Sequence, residues 1–509
     1  MILSILKNNW KTILLLVLLS LSVYVMALPS EFVSDDIANY VTNPNLGSYN
    51  FNLNFVYSLN DSTIYHLFGA SPIAYRSLNL LFHTVNVILA FLILSLIVKK
   101  KTVATFAAAL FAVHPILAES ITWISGGIYA KYSFFLLFSL LLYISAKNWK
   151  KIIISLILFI FALSFSEKAL IFPGILFVYE LSFRSLKTTW KKLVPYFFIS
   201  LAWFSAIFFR FGERVESLDK DFYGSPSDNN PLYQIPIAIT KYFELIFWPD
   251  KLTLYQTEMF FTPLSFWIRT SLTTIFVLLI IFSLLKKKKL NQYFFWLSFL
   301  IIALLPTLLP LGVAWIVAER YIYLGSLGLF AIIGILLDKI NNIYKTKTIF
   351  VLLSILIIIV LGTRTIDRNR DWKNQDTLWI ATANVSPSGH NIHNNLGDVY
   401  GRAGDKQRAI EEFQLAIAIN PNYADAMHNL ASVYLEVDQV EPAIFWYRSA
   451  IEKNPYLWQS YKNLSIIYFN LNQPDIALEI LKKGLEANPE NPALIEIVNF
   501  ILEQESEIK

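Results

Sequence analysis

Long apolar runs dominate the first 362 residues of the chain and predict a bundle of transmembrane helices. Eleven runs approach the ~17–25 residues that span a bilayer. They lie at 12–28, 78–98, 102–118, 132–146, 152–166, 169–183, 194–209, 266–285, 292–311, 321–337 and 348–362. The short neighbouring runs 152–166 and 169–183 leave a re-entrant or tilted hairpin open as an alternative to two full spans.

Clusters of basic residues precede the first run and follow every second run. They are Lys7 and Lys11, Lys99–Lys101, Lys147–Lys151, Arg184–Lys192, Lys286–Lys289 and Lys339–Lys347. Because such clusters mark cytoplasmic loops, we expect a cytoplasmic N-terminus. The loops 29–77 and 210–265, and everything beyond Gly362, then lie on the external side. We expect the first run to stay as a span, with a cleaved signal peptide as the alternative.

The polar segment 363–509 carries an internal repeat of 34 residues. The repeated positions are Pro387, Pro421, Pro455 and Pro489, then Asn395, Asn429 and Asn463, then Tyr400, Tyr434 and Tyr468, then Ala409, Ala443 and Ala477. This period is typical of tetratricopeptide repeats, which are stacked helical hairpins. The predicted fold class is therefore all-α: a membrane domain over 1–362 followed by an extracytoplasmic repeat α-solenoid over 363–509.

Composition separates these two parts and narrows the function. The chain is 55% hydrophobic and 16% charged, which excludes an ordinary soluble protein. Residues 1–362 carry 29 basic and 17 acidic side chains, whereas 363–509 carry 13 and 20. The acidic repeats would repel phosphates, so we expect no nucleic-acid partner. The absence of cysteine excludes a thiolate metal site and a cysteine nucleophile.

Several ionisable residues fall at the external ends of the predicted spans. They are Asp35, Asp36, His114, Glu119, Lys131, Glu167, Lys168, Glu319 and Arg320. Charges near hydrocarbon are costly unless they are paired or face water, so this shared depth predicts a polar cavity open to the exterior. Most of these residues also have a plain structural interpretation: a solvated acid pair for Asp35 and Asp36, a helix cap for His114, and local ion pairs for Glu167-Lys168 and Glu319-Arg320.

Such a cavity is suited to transfer of a group from a lipid phosphate. A carboxylate takes a proton from the acceptor, while cations stabilise the departing phosphate. The sequence has no glycine-rich phosphate loop, no G-x-S-x-G and no H-E-x-x-H motif, and it lacks a soluble catalytic domain. The membrane would therefore deliver the substrate.

The chain resembles the GT-C superfamily of membrane glycosyltransferases, and within it the transmembrane and tetratricopeptide-repeat O-mannosyltransferases and their bacterial relatives. The resemblance extends in order over most of the chain. Its segments are Phe32–Asp36 with Asn43-Pro44, His114-Pro115 with Glu119 and Trp123–Gly126, Glu167–Leu170 with Tyr179-Glu180, Asp228–Pro231 with Trp248-Pro249, Glu319–Leu324 with Ser326–Gly328, and Arg368-Asn369 with Trp372. In one departure, Gly127 follows Gly126 where such proteins often carry an arginine; Lys131 is the candidate substitute.

The resemblance implies transfer of a sugar, a mannose-like hexose, from a polyprenyl-phosphate donor to an acceptor hydroxyl on the external face, with inversion. It assigns the catalytic roles to Asp35 or Asp36 as general base, with Glu119 beside them. The resemblance also implies that Arg320, Lys168 and Lys131 bind the donor phosphate. The supporting residues are His114, Glu167 and Glu319. Metal-free catalysis is favoured, with a divalent cation (Mg²⁺ or Mn²⁺) held by the two aspartates as the alternative.

The expected partners are membrane lipids, the lipid-linked sugar and an acceptor polypeptide held in the repeat groove. Tyr223, Tyr233, Trp248 and Tyr255 of loop 210–265 either cover the lipid entrance or form an ordinary interfacial loop. Composition favours a bacterial inner membrane. Two other functions remain: an O-antigen ligase or polymerase, which the arginine-poor loop 210–265 supports poorly, and a non-catalytic scaffold for envelope assembly.

Overall fold

The computed structural model describes residues 2–50, 52–221, 231–257, 262–308, 316–344 and 347–508. Only the backbone is described at 209–221, 231–232, 287–288, 347, 350 and 505–508. Tyr223 and Asp228–Asn230, which the sequence analysis singled out, lie outside the described residues. The chain divides into two compact units, Met1–Leu378 and Trp379–Lys509. The boundary drawn from sequence, after Gly362, lies inside a helix of the first unit.

The first unit is built from α-helices that include most of each apolar run, together with helices such as α3 and α11 that lie in the predicted external loops. They are α1 (Ile2–Asn8), α2 (Trp10–Tyr24), α3 (Phe55–Phe68), α4 (Pro72–Ile97), α5 (Lys101–Val113), α6 (Glu119–Thr122), α7 (Ile128–Ile144), α8 (Trp149–Phe165), α9 (Phe172–Phe183), α10 (Leu186–Asp221), α11 (Pro231–Phe247), α12 (Pro263–Leu285), α13 (Lys287–Leu308), α14 (Tyr323–Tyr344), α15 (Lys347–Asp371) and α16 (Gln375–Val385), which crosses the unit boundary. Short 3₁₀ helices lie at Val25–Ala27, Pro115–Leu117, Ser125–Gly127, Glu167–Ile171 and Glu319–Ile322, and a π-helix lies at Ile37–Val41.

The predicted count of eleven spans is not confirmed. Within the described residues, seven helices are long and apolar enough to cross a membrane, or eight if the bent pair Lys101–Val113 and Pro115–Thr122 is one span. The runs 152–166 and 169–183 lie in α8 and α9, which have 17 and 12 residues. At ~1.5 Å per residue, both helices are shorter than the ~30 Å hydrocarbon core. The chain is a membrane protein whose spans vary in length.

The core of the first unit lies around α4, α7 and α14. In the apolar 18-residue stretch of each of these helices, 67%, 67% and 72% is buried, against 11% in α10 and in α12. The outer helices therefore present exposed leucine, isoleucine and phenylalanine side chains, as expected for surfaces that face lipid. Polar side chains also join several helices at the end of the bundle that holds Thr122 and Asn369.

Three hydrogen bonds show which helix ends meet there. The Asn369 side chain at the end of α15 donates to Val23 O at the end of α2 (2.7 Å), and the Thr122 hydroxyl donates to the Asn369 side-chain oxygen (2.7 Å). Arg76 at the start of α4 donates to Thr122 O (2.8 Å). The ends of α2 and α15 and the start of α4 are thus joined around α6.

The second unit consists of helix pairs, as its period predicts. They are α17 (His390–Arg402) with α18 (Lys406–Ile419), α19 (Ala424–Glu436) with α20 (Val440–Lys453), and α21 (Trp458–Asn470) with α22 (Pro474–Ala487), followed by α23 (Pro492–Ile508). Each pair turns through one left-handed residue at the same 34-residue step: Gly404 (φ 84°), Asp438 (φ 58°) and Asn472 (φ 58°). Glycine, aspartate and asparagine are the residues that best tolerate this conformation.

Candidate active site at one end of the membrane bundle

Asp35 and Asp36 lie on a tight turn after α2, here called the acid turn (residues 33–36). The Asp36 N–H donates to Val33 O (3.1 Å), and the Val33 N–H donates to the Asp36 carboxylate (3.3 Å). Ser34 is in the left-handed region at φ 53°, and the π-helix Ile37–Val41 follows. Asp35 is exposed and Asp36 is fully buried. Two adjacent acids therefore have different environments.

The buried Asp36 carboxylate is held by donors from another segment. Ser125 donates both its N–H (2.8 Å) and its hydroxyl (2.7 Å) to one carboxylate oxygen. Burial raises the pKa of Asp36 to about 6, although the Ser125 hydrogen bonds, the charge of Arg76 and the Val33 N–H oppose this rise. With both oxygens accepting hydrogen bonds, Asp36 ties the acid turn to the segment before α7.

Arg76 also fixes the acid turn, and the sequence analysis missed it. Its buried guanidinium donates to the carbonyls of Ser30 and Glu31, just before the turn, and to Thr122 O. The available signal was an arginine at the start of a long apolar run, where a charge needs a polar partner. The chain meets that need with backbone carbonyls.

Glu119 and Arg320, 201 residues apart, form an ion pair. One oxygen of the buried Glu119 accepts from the Arg320 backbone N–H (2.7 Å), and the other accepts from its guanidinium. The guanidinium also lies over the rings of Trp123 and Tyr321, at 5.3 and 5.0 Å from their centroids. Its side chain keeps 12% exposure. Glu119 thus orients a cation that remains partly open to solvent.

Lys168 lies close to the same aromatic group. Its ammonium is 5.5 Å from the Tyr129 ring centroid and 5.9 Å from that of Tyr321, and 3.6 Å from the Glu167 carboxylate. The side chain is 16% exposed. The Tyr321 ring is therefore shared by two partly exposed cations, Lys168 and Arg320.

Tyr255 connects the acid turn with these cations. Burial and the charge of Asp35 raise the pKa of Tyr255 to about 12, while Arg320 and a hydrogen bond with Ser34 oppose the rise. Asp35 and Arg320 therefore both act on one phenol. Of the other aromatic residues predicted on this loop, Tyr233 and Trp248 are exposed. Tyr255 differs from them because it lies at the site.

Glu319 pairs with an arginine that was not among the predicted site residues. Its carboxylate is 3.1 Å from Arg368, and both side chains are fully buried. Arg368 also contacts Asp371 at 2.8 Å and lies 5.3 Å from the Trp372 ring centroid, and this ring stacks on Trp123 at 5.9 Å. The end of α15 therefore supports the residue beside Arg320.

His114 caps a helix break. Its Nδ1 accepts from the Ile116 N–H (3.2 Å), and its Nε2 lies 2.9 Å from Ile246 O. Since Nδ1 accepts, Nε2 is the nitrogen that carries the proton and donates to this carbonyl. With both ring nitrogens engaged by backbone, His114 has the geometry of the structural alternative given for it above.

Lys131 is fully buried and pairs with an acid that sequence reasoning missed. Its ammonium is 3.6 Å from the Asp61 carboxylate, which also accepts from the Tyr40 hydroxyl (3.0 Å) and the Asn60 side chain (2.6 Å). Asp61 lies in the predicted external loop 29–77, which the structure shows to contain α3. Lys131 therefore already has a carboxylate partner. This pairing differs from the prediction that Lys131 binds the donor phosphate.

Packing explains why glycine stands at position 127, where the family pattern often has an arginine. A Cβ atom on Gly127 would lie 2.1 Å from the Asn79 side-chain oxygen, and one on Gly126 would lie 2.4 Å from Glu119 O. Neither distance is compatible with any larger residue unless Asn79 or the Glu119 backbone moves. An arginine at position 127 therefore does not fit this arrangement of Asn79.

The acid turn fits a divalent cation poorly. Both oxygens of Asp36 already accept hydrogen bonds, so Asp35 is the acid with free ligand capacity. Among the residues that the structure describes, no three histidine, aspartate or glutamate side chains form a cluster able to hold a metal ion. The donor set expected of such a site is not assembled around the turn.

Comparison with known proteins finds tetratricopeptide repeats within the second unit. Residues 390–423 match one family model of the tetratricopeptide repeat, and residues 424–456 and 459–491 match a second model of that repeat. A protein O-mannosyl-transferase of Caenorhabditis elegans is 24% identical over 454 residues, which cover 80% of this chain. The chain is therefore similar over most of its length to a protein named as a protein O-mannosyl-transferase. It spans 63% of the length of the C. elegans protein.

Other matches cover shorter stretches. The protein O-mannosyl-transferase Tmtc2 of Drosophila melanogaster is 33% identical over 25% of this chain and 14% of its own length. Among solved structures, MamA matches with TM-score 0.21 and 22% identity, covering 30% of this chain and 84% of its own. YrrB, a TPR protein with an unusual peptide-binding site, matches with TM-score 0.22 and 16% identity, covering 32% and 96%.

Proposed function

We propose that the chain is an integral-membrane glycosyltransferase that transfers a mannose-like hexose from a polyprenyl-phosphate donor to a protein hydroxyl. The proposal rests on one observation: the exposed carboxylate of Asp35 and the partly exposed guanidinium of Arg320 both lie near enough to Tyr255 for their charges to act on its phenol. A base and a phosphate-binding cation are the two groups that this transfer requires. The similarity to protein O-mannosyl-transferases supports the sugar and the acceptor class.

Asp35 is the better candidate for the general base. A base must reach the acceptor hydroxyl with a free oxygen lone pair. Asp36 is fully buried and accepts from Val33 and Ser125, whereas Asp35 is exposed. In this mechanism the acceptor oxygen attacks the anomeric carbon while its proton passes to Asp35. The bond from the anomeric carbon to the phosphate oxygen breaks on the opposite face, which inverts the configuration.

Arg320 and Lys168 would neutralise the leaving phosphate. The bond electrons leave with the polyprenyl phosphate, so its negative charge grows during transfer. A guanidinium suits contact with two phosphate oxygens, and an ammonium acts as a point charge. Glu119 would orient Arg320 from behind, as its two contacts with that residue indicate. A role for Lys131 in phosphate binding would require it to leave Asp61.

The orientation and the acceptor are also part of the proposal. The basic loops favour a cytoplasmic N-terminus and an external active site, and composition favours a bacterial inner membrane. The repeats would bind the acceptor polypeptide and raise its local concentration. We propose a mechanism that uses side chains alone, so a chelator should leave the rate of transfer unchanged.

The test is transfer by purified protein from a panel of polyprenyl-phosphate sugars to a peptide acceptor. Asp35→Asn and Arg320→Gln should each abolish transfer while the protein stays folded, and the product linkage should be inverted. Asp367→Asn is the matched control, because Asp367 is 60% exposed in α15. No transfer by the wild-type protein from any donor would support the scaffold function. Transfer only from oligosaccharide diphosphates would support the ligase.

A further inference from the structure

The connector between α15 and α16 (residues 372–374) and the first residue of α16, Gln375, contact the acid turn and the segment just before it. The Ser34 N–H donates to the side-chain oxygen of Gln375 (3.2 Å), and the Glu31 N–H donates to Lys373 O (2.9 Å). These contacts join residues more than 340 positions apart along the chain. Gln375 is the first residue of α16, so its position depends on how that helix begins.

The start of α16 is rigid because two residues cap each other. The Asn374 N–H donates to the Thr377 hydroxyl (3.1 Å), and the Thr377 N–H donates to the Asn374 side-chain oxygen (2.9 Å). This reciprocal pair is a capping box, which fixes the first turn of a helix. Gln375 lies between its two members and is therefore held in place.

Ser34 needs such a contact. A non-glycine residue at φ 53° is disfavoured by roughly tenfold or more, and it persists only where its surroundings hold it. Of the described non-glycine residues with positive φ, Ser34 is the one next to a predicted catalytic acid. The bond to Gln375 is made by the N–H of this same strained residue, directly before Asp35.

We propose that Gln375 is a positioning residue for Asp35: its side-chain oxygen holds the Ser34 N–H, keeps Ser34 left-handed and so directs the Asp35 carboxylate toward the acceptor hydroxyl. The role of Asp35 in this inference rests on the proposed function. The hydrogen bond between Ser34 and Gln375 does not depend on it. The geometry of the base then depends on the first turn of α16.

The contact is tested without any activity assay, by hydrogen exchange of the Ser34 amide in the full-length protein. Gln375→Ala removes the acceptor, so exchange at Ser34 should speed up by about tenfold or more. Gln375→Glu keeps an acceptor oxygen and should preserve protection. Gln407→Ala is the matched control, because Gln407 makes an exposed hydrogen bond to Glu411 within α18. Unchanged exchange in Gln375→Ala would overturn the proposed contact.

The positioning role is tested by transfer kinetics. Gln375→Ala should lower kcat by about tenfold with the KM for the lipid donor unchanged, since donor binding uses other residues. Gln375→Glu should restore most of the rate. Ser34→Gly in the Gln375→Ala background should also recover part of kcat, because glycine adopts positive φ without a steric cost.

The exchange and kinetic experiments together distinguish failure of the contact, of the positioning role and of the proposed function. Faster exchange with a wild-type kcat, or a change confined to KM, would overturn the positioning role and leave the contact. Without transfer by the wild-type protein, the proposed function fails and the role of Gln375 in positioning a base fails with it. The exchange result would still decide whether Gln375 holds the acid turn.

Discussion

Replacing Asp36 by asparagine gives the sharpest test of the acid turn. The carboxylate is fully buried and accepts hydrogen bonds from Val33 and from both donors of Ser125. Asn keeps the shape of Asp but removes the charge, and its amide group replaces one acceptor oxygen with a donor. The lost hydrogen bond should cost ~1–3 kcal/mol at every pH. The charge adds an effect that depends on pH.

The sign of this pH effect follows from the raised pKa. Burial moves the pKa of Asp36 from 3.8 to about 6, so the folded state binds more protons than the unfolded state between these values. The free energy of unfolding of the wild-type protein therefore rises as the pH falls through about 6, and the gain is complete below 3.8. At ~1.4 kcal/mol per pH unit, the total gain is ~3 kcal/mol. Asp36→Asn lacks this gain.

The assay is the unfolding of purified protein in detergent, followed by circular dichroism across this pH range. The difference in unfolding free energy between wild-type and Asp36→Asn protein should widen by ~2.4 kcal/mol from pH ~7 to pH ~4, where most of the gain is present. Asp35→Asn is the matched control, because it keeps Asp36 and should follow the wild-type pH dependence. Parallel curves for wild-type and Asp36→Asn would refute our account of Asp36 as a buried acid with a raised pKa.

Three further substitutions test the rest of the site. Glu119→Gln should lower the unfolding free energy by ~3 kcal/mol, because it leaves a largely buried guanidinium unpaired; Asp398→Asn, at an ion pair with Arg402 in which both side chains are exposed, should cost less than ~1 kcal/mol in the same unfolding assay. Gly127→Ala should cost ~1–3 kcal/mol through overpacking, and Gly174→Ala, whose Cβ would lie 3.5 Å from its neighbour, should be neutral by thermal unfolding. Arg320→Lys should raise the donor KM in transfer kinetics, and an unchanged KM would argue against its role in phosphate binding.

The local features of this protein were predictable from sequence. The repeat helices follow from a 34-residue period, because each helical hairpin packs against its neighbours through the same positions: Ala409, Ala443 and Ala477 are all fully buried. The membrane helices follow from apolar runs, since a helix satisfies its own backbone within one segment. The number of spans was less predictable, because a short run such as α9 forms a helix whether or not it crosses a bilayer.

The convergence of charges at one end of the bundle was predicted only in outline. The shared depth of Glu119, Lys168 and Arg320 indicated a polar group, and the structure brings these residues to the aromatic cluster around Tyr321. The position of a residue along a helix does not specify which side of the helix its side chain lies on. The ion-pair partner of each charged residue was therefore not predictable. Lys131 has the same predicted depth, yet it pairs with Asp61.

The sequence by itself determined the helices, the repeats and the types of ionisable residue available, because each of these depends on neighbours a few positions away. Only the tertiary structure decided which acid pairs with which cation, as in Glu119 with Arg320 and Glu319 with Arg368. It also made Asp36 a buried anchor and left Asp35 exposed, although the two are adjacent and chemically identical. The physical reason is that burial and ion pairing depend on atoms supplied by segments hundreds of residues away.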